Sequence, residues 1–195
     1  MKSLNDIWQE YINQGILSTQ ILNDLIWYIE NDDTSETVVM VTDILVKESS
    51  GILFKKLVPH IAKQLVHEDE YVRELAISSL VFRLKLPEYA EKVLNMAKND
   101  PDDGVRNCAA FSLGAVLNKV DMNLRKQIAT YIYDSVTNIA YDDLHKQSTY
   151  RSILKAMEVP VNMWPLLKLN PDIPKIVDKT LLKKFREKYN IEKVE

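Results

Sequence analysis

A thirteen-residue pattern of this chain recurs 33 positions further on, with six of its residues identical, and no other feature restricts its fold as much. Glu68-Asp69-Glu70-Tyr71-Val72-Arg73-Glu74-Leu75-Ala76-Ile77-Ser78-Ser79-Leu80 aligns with Pro101-Asp102-Asp103-Gly104-Val105-Arg106-Asn107-Cys108-Ala109-Ala110-Phe111-Ser112-Leu113, with Asp, Val-Arg, Ala, Ser and Leu in register. A fixed period of this length is the signature of stacked supersecondary units, each too small to bury its own apolar face. A looser copy falls 39 residues later, with Asp143-Leu144 under Gly104-Val105 and His145 at the arginine position. A further copy is expected upstream, from Asp32 through Ile44.

Between the repeats the apolar spacing is helical almost throughout. Leu4, Ile7, Trp8 and Tyr11 fall at intervals of three and four, as do Ile21, Leu22, Leu25 and Ile29 after a cap at Ser18 or Thr19. Thr37 to Thr42 is rich in β-branched residues, so a strand stays open there. Pro59 should kink its helix or mark its start. Pro160 to Pro174 reads as irregular, and Asp172 as the cap of a last helix through Leu182 and Phe185. Glycine is scarce, four in 195 residues, against a usual share of about 7%. That poverty excludes glycine-rich phosphate cradles and favours helices joined by short acidic turns. The expected class is all-α, with about nine helices.

The Asp-x-x-Val-Arg-x-x-Ala core resembles the HEAT-repeat (armadillo-like) family of α-solenoids, well over residues 54–118 and loosely over 17–157. The resemblance implies a right-handed α-solenoid of stacked helix pairs forming one domain over 1–195. Residues 1–50 would be N-terminal helices, 51–158 the repeats, and 159–195 an irregular segment with a capping helix. It also implies that Asp69, Arg73, Asp102 and Arg106 form a structural ladder between repeats. On such a scaffold the second helices line the concave face, where partners bind. Ile77, Val81, Phe111, Gly114, Tyr150 and Ile153 make an apolar-aromatic row there and are the candidate protein-binding residues. Gly114, mid-helix, suggests close approach of another backbone or a ligand.

Catalytic chemistry has little to stand on. His60, His67 and His145 lie in different units, and no HExxH, CxxC, GxSxG or GxxxxGK[ST] run occurs. No metal, cofactor or catalytic residue is expected, and Cys108 reads as a buried, inert thiol. Acidic pairs such as Asp102-Asp103 and Asp142-Asp143 recur at repeat turns, where helix capping explains them.

The net charge of −3 argues against general nucleic-acid binding. The lone cysteine fits a reducing compartment. No stretch approaches the ~18 consecutive apolar residues of a membrane span, and Asp6 and Glu10 stand where a signal peptide would be apolar. These features point to a soluble, cytoplasmic protein. Charge runs from −7 over residues 1–50 to +4 over 151–195, with +1 and −1 in the two blocks between. The acidic front suggests a basic partner. A non-catalytic interaction module follows, one version being an immunity or inhibitor-type protein for a cationic toxin. The alternatives are a nucleic-acid enzyme like the HEAT-like alkylpurine DNA glycosylases, and a subunit of a larger assembly.

Overall fold

The computed structural model describes residues 2–14, 18–31, 34–47, 52–166 and 172–192. Among these residues the chain is all-helical. Its α-helices are α1 (Leu4–Gln14), α2 (Thr19–Asn31), α3 (Ser35–Lys47), α4 (Ile52–Lys63), α5 (Glu70–Ile77), α6 (Ala90–Asn99), α7 (Asp103–Leu113), α8 (Met122–Thr137), α9 (Asp143–Ala156), α10 (Ile173–Ile176) and α11 (Lys179–Lys188). The β-branched stretch at 37–42 therefore lies in a helix, α3, where Thr37, Val38, Val41 and Thr42 are buried. Packing of that face overrides intrinsic strand preference. No helix of the described residues is long and apolar enough to cross a membrane.

The chain divides into two compact units, Met1–Leu84 and Lys85–Glu195, with the boundary inside the 51–158 block. In the first unit, α3 packs against α1, α2, α4 and α5, and α2 against α4. Its core is Ile7, Ile21, Leu25, Ile44, Leu45, Leu57 and Ile61, all fully buried. Ser3 and Asp6 close the start of α1 reciprocally: the Asp6 amide donates to Ser3 Oγ and the Ser3 amide to the Asp6 carboxylate. Ser18 caps α2, its Oγ accepting from the Ile21 amide. Pro59 sits inside α4 and forfeits one backbone bond there. The helix begun by α5 widens into a π turn over Ser78–Arg83, where the Leu84 amide donates to the Ser79 carbonyl five residues back.

In the second unit, α7 packs between α6 and α9, and α8 packs on α9 and α11. The last helix is capped by Asp178, whose carboxylate accepts from the Thr180 and Leu181 amides. Asp172 instead precedes the short α10 and makes no side-chain cap. Cys108 is only half-buried, short of the expected core position. Gly15, Gly51 and the Asp32-Asp33 turn lie outside the described residues.

Glycine scarcity leaves a mark on the backbone. Lys85 (φ 55°), Glu158 (φ 58°) and Asn190 (φ 51°) occupy the left-handed region where helices usually end on glycine. At Glu158 the closure is bonded twice, Glu158 N–H to the Lys155 carbonyl and Val159 N–H to the Leu154 carbonyl.

Candidate functional site

The expected concave row is not an open surface. Ile77, Val81 and Ile153 are fully buried, Tyr150 nearly so, and Gly114 is buried with them. Only Phe111 is left half-exposed. The chain itself covers much of the row. A Cβ on Gly114 would come within 2.8 Å of the Ser152 carbonyl carbon and 2.7 Å of its Oγ, so the close neighbour is α9. The Tyr150 hydroxyl accepts a bond from the Asp178 amide at 3.0 Å, tying α9 to the capping turn of α11. Phe111 meets the indole of Trp164 edge-on at 6.4 Å and the Arg151 guanidinium at 5.5 Å. Periodicity locates an apolar face but does not show which later segment returns to cover it.

The two repeat turns are built on the same plan. In the first, Asp69 Oδ1 accepts from the Tyr71 and Val72 amides, and its own amide donates to His67 Nδ1. Arg73 Nη1 then donates to the carbonyls of His67 and Glu68, both at 2.9 Å. In the second, Asp102 Oδ1 accepts from the Val105 amide, and its amide donates to Asp100 Oδ1. Arg106 Nη1 donates to the carbonyls of Asp100 at 2.6 Å and Pro101 at 3.1 Å, and its other nitrogen pairs with Asp103. The aspartate ties down free N–H groups at a helix start, and the arginine takes the carbonyls that lead into it. These bonds of Asp69, Arg73, Asp102 and Arg106 close each residue's own turn, whereas the resemblance implies links between neighbouring repeats. A third turn of this type, absent from the sequence reading, joins α7 to α8: Asp121 caps, and Arg125 Nη2 donates to the Asn118 and Val120 carbonyls.

The loose copy also shifts by one residue. Asp142, not Asp143, is the cap of α9, its Oδ1 accepting from the His145 amide at 2.8 Å. The offset is therefore 40, which places His145 at the valine position of Val72 and Val105 and Lys146 at the arginine position. Two adjacent aspartates offer two registers, and only the capping geometry selects one.

His145 is buried in a polar network. Its Nδ1 lies 2.7 Å from Asn107 Oδ1 and its Nε2 3.1 Å from the Tyr131 hydroxyl, which reaches the Ala97 carbonyl at 2.8 Å. Tyr141 stacks on the ring at 4.8 Å. Burial lowers the His145 pKa, helped by the nearby Arg106 charge and opposed by Asp142. Burial likewise raises that of Tyr131. The imidazole, set between Asn107 of α7 and Tyr131 of α8, joins these helices to α9, a polar clamp of the kind that favours one helix arrangement.

What the first turn adds is surface. Val66 is 72% exposed and Tyr71 57% exposed, on either side of the exposed acids Glu68, Asp69 and Glu70. Their counterparts 33 residues on are Asn99 and Gly104. The turn therefore closes in the same way without Val66 or Tyr71. Comparison of the chain with protein-family models, with curated proteins and with solved structures returns no match.

Proposed function

We propose that the chain is a non-catalytic protein-interaction module on a right-handed, HEAT-like α-solenoid. It binds a basic protein at the acidic turn of the first unit rather than along the covered row. An immunity or inhibitor-type role against a cationic partner is its concrete form. The observation that carries this reading is the pair of large apolar side chains, Val66 and Tyr71, exposed around Glu68-Asp69-Glu70 where the sister turn closes with Asn99 and Gly104.

The physical case has three supports. The turn is held by Asp69 and Arg73 before any partner arrives, so little ordering entropy opposes binding. A tyrosine combines a large apolar body with a polar tip and is common among residues that dominate interfaces. Over residues 1–84 there are thirteen acidic against seven basic side chains, which steers a cationic partner toward this unit. Capture from native lysate tests the reading with wild type, Val66→Ser/Tyr71→Ser and Phe111→Ala. A basic protein should be retained by wild type and by Phe111→Ala, and lost from the double variant. Equal recovery by all three would remove the acidic turn as the site.

A further inference from the structure

We infer that the second unit carries a binding site of opposite sign, a cleft that takes an acidic, extended segment of a partner protein. It goes beyond the acidic turn and rests on different residues.

The cleft has a volume of about 380 Å³ and is walled by Lys85, Lys119, Lys155, Glu158, Val161 and Trp164. Three lysines thus line it against one glutamate. Among the described residues neither Lys85 nor Lys119 is paired with an acid; Lys119 Nζ instead reaches the Lys85 carbonyl at 3.3 Å. The helix-end carbonyls nearby are already served. Asn118 Nδ2 and Lys188 Nζ both donate to the Ala156 carbonyl, and the Tyr189 hydroxyl donates to Asn118 Oδ1. Lys85 and Lys119 therefore keep charges that no acid among the described residues neutralises, and an anionic ligand would find them side by side.

The aromatic wall is fixed in place. Trp164 Nε1 donates to the Val159 carbonyl at 2.8 Å, and its ring lies edge-on to Phe111. The Arg151 guanidinium sits 5.3 Å from the Trp164 ring and 5.5 Å from that of Phe111. Arg151 has no acidic partner among the described residues, and its Nε is buried without a hydrogen bond. It adds another uncompensated positive charge beside the wall.

The backbone is strained at the same place. Of the three non-glycine residues found in the left-handed region among the described residues, Lys85 and Glu158 both line this cleft. With Asn118, also in its lining, they stand at one repeat position, offset by 33 and 40 residues. A residue with a Cβ is strained in the left-handed region, and such strain gathers at ligand sites.

The choice of a peptide over a small anion comes from the rim. Val161, in the lining, is 68% exposed, and Met163 and Leu166, on either side of Trp164 in the sequence, are 69% and 80% exposed, an apolar run beside the cleft. A free phosphate or carboxylate would leave that run bare. A segment alternating acidic and apolar side chains covers both, its carboxylates on the lysines and its apolar groups along Val161 and Met163.

Fluorescence anisotropy of the full chain tests this with a fluorescein-labelled pool of short peptides, Asp/Glu-rich with single Leu or Phe positions. Saturable binding is expected, weakening as salt screens the exposed charges. Lys119→Glu/Lys155→Glu should weaken it about tenfold or more by turning attraction into repulsion. Val161→Ser/Met163→Ser should weaken it severalfold, and Lys92→Glu, an exposed site on α6, should leave it unchanged. Circular dichroism melting confirms that each variant is folded. Val66→Ser/Tyr71→Ser should bind the peptides normally, which separates this site from the acidic turn. The proposal falls if wild type shows no saturable binding or if the lysine variant binds equally well. It also falls if inorganic phosphate displaces the labelled pool as effectively as unlabelled peptide does.

Discussion

The turns at Asp69 and Asp102 share their backbone chemistry and differ in what they show to solvent. In both, an aspartate caps the helix, an acceptor two residues earlier takes its amide, and an arginine takes the two carbonyls leading in. The first adds exposed Val66 and Tyr71, where the second has Asn99 and Gly104. One chain thus contains its own control. Features common to both turns are those the fold requires, and features of one alone are left for something else. The charge balance follows the same division, thirteen acids to seven bases over 1–84 and fifteen to eighteen over 85–195.

The largest expected effect comes from adding a side chain at Gly114, whose repeat mate Val81 carries one. A Cβ at Gly114 would run into Ser152 of α9. Gly114→Ala should cost about 3 kcal/mol, because the added methyl meets the Ser152 backbone rather than a side chain that can move. Urea denaturation measures it, and a loss below about 1 kcal/mol would show that α9 is not held there.

The arginines come next. Arg73 is 9% exposed and holds its two carbonyls at 2.9 Å, while the Arg106 side chain is 31% exposed. Arg73→Ala should cost about 2 kcal/mol and Arg106→Ala about 1 kcal/mol, since both Arg73 bonds are partly buried while one Arg106 bond is exposed, where water can replace the donor. Equal losses would mean that burial does not distinguish the two turns.

The third copy extends the comparison to pH. Its valine position holds His145, whose folded pKa is lowered by burial. Below the ordinary histidine value of about 6.5, the unfolded chain takes up a proton that the folded chain refuses. Stability is therefore full above that pH and is lost as pH falls toward the lowered folded value. His60, also lowered chiefly by burial, acts in the same direction. His145→Val, which installs the residue of the other two copies, should flatten the stability profile between pH 7 and 5. An unchanged slope would show that His145 takes up protons equally in the folded and unfolded chains.

Much of this architecture was legible in the sequence. Helical spacing marked the helix faces, and Asp-x-x-Val-Arg marked the two turns whose bonds coincide. The misses are also physical. Asp142 and Asp143 are interchangeable as letters, so the register of the third copy slipped by one. Asp172 and Asp178 both precede helical residues, yet only Asp178 aims its carboxylate at free amides. Tyr150 and Phe111 read as exposed because their covers, the Asp178 amide and Trp164, come from segments with no periodicity of their own. Lys85 and Glu158 gave no sign of a left-handed backbone, since the usual sign is a glycine and this chain has four.

Val66→Asn/Tyr71→Ser, which trims the first turn toward the second, tests the central claim most directly through its denaturation midpoint. If the Asp69–Arg73 device alone builds the turn, the double variant should match wild type within about 0.5 kcal/mol, as exposed substitutions ordinarily do. A loss near the ~2 kcal/mol expected for Arg73→Ala would contradict this, because Val66 and Tyr71 would then be part of the fold and not a surface left free to bind.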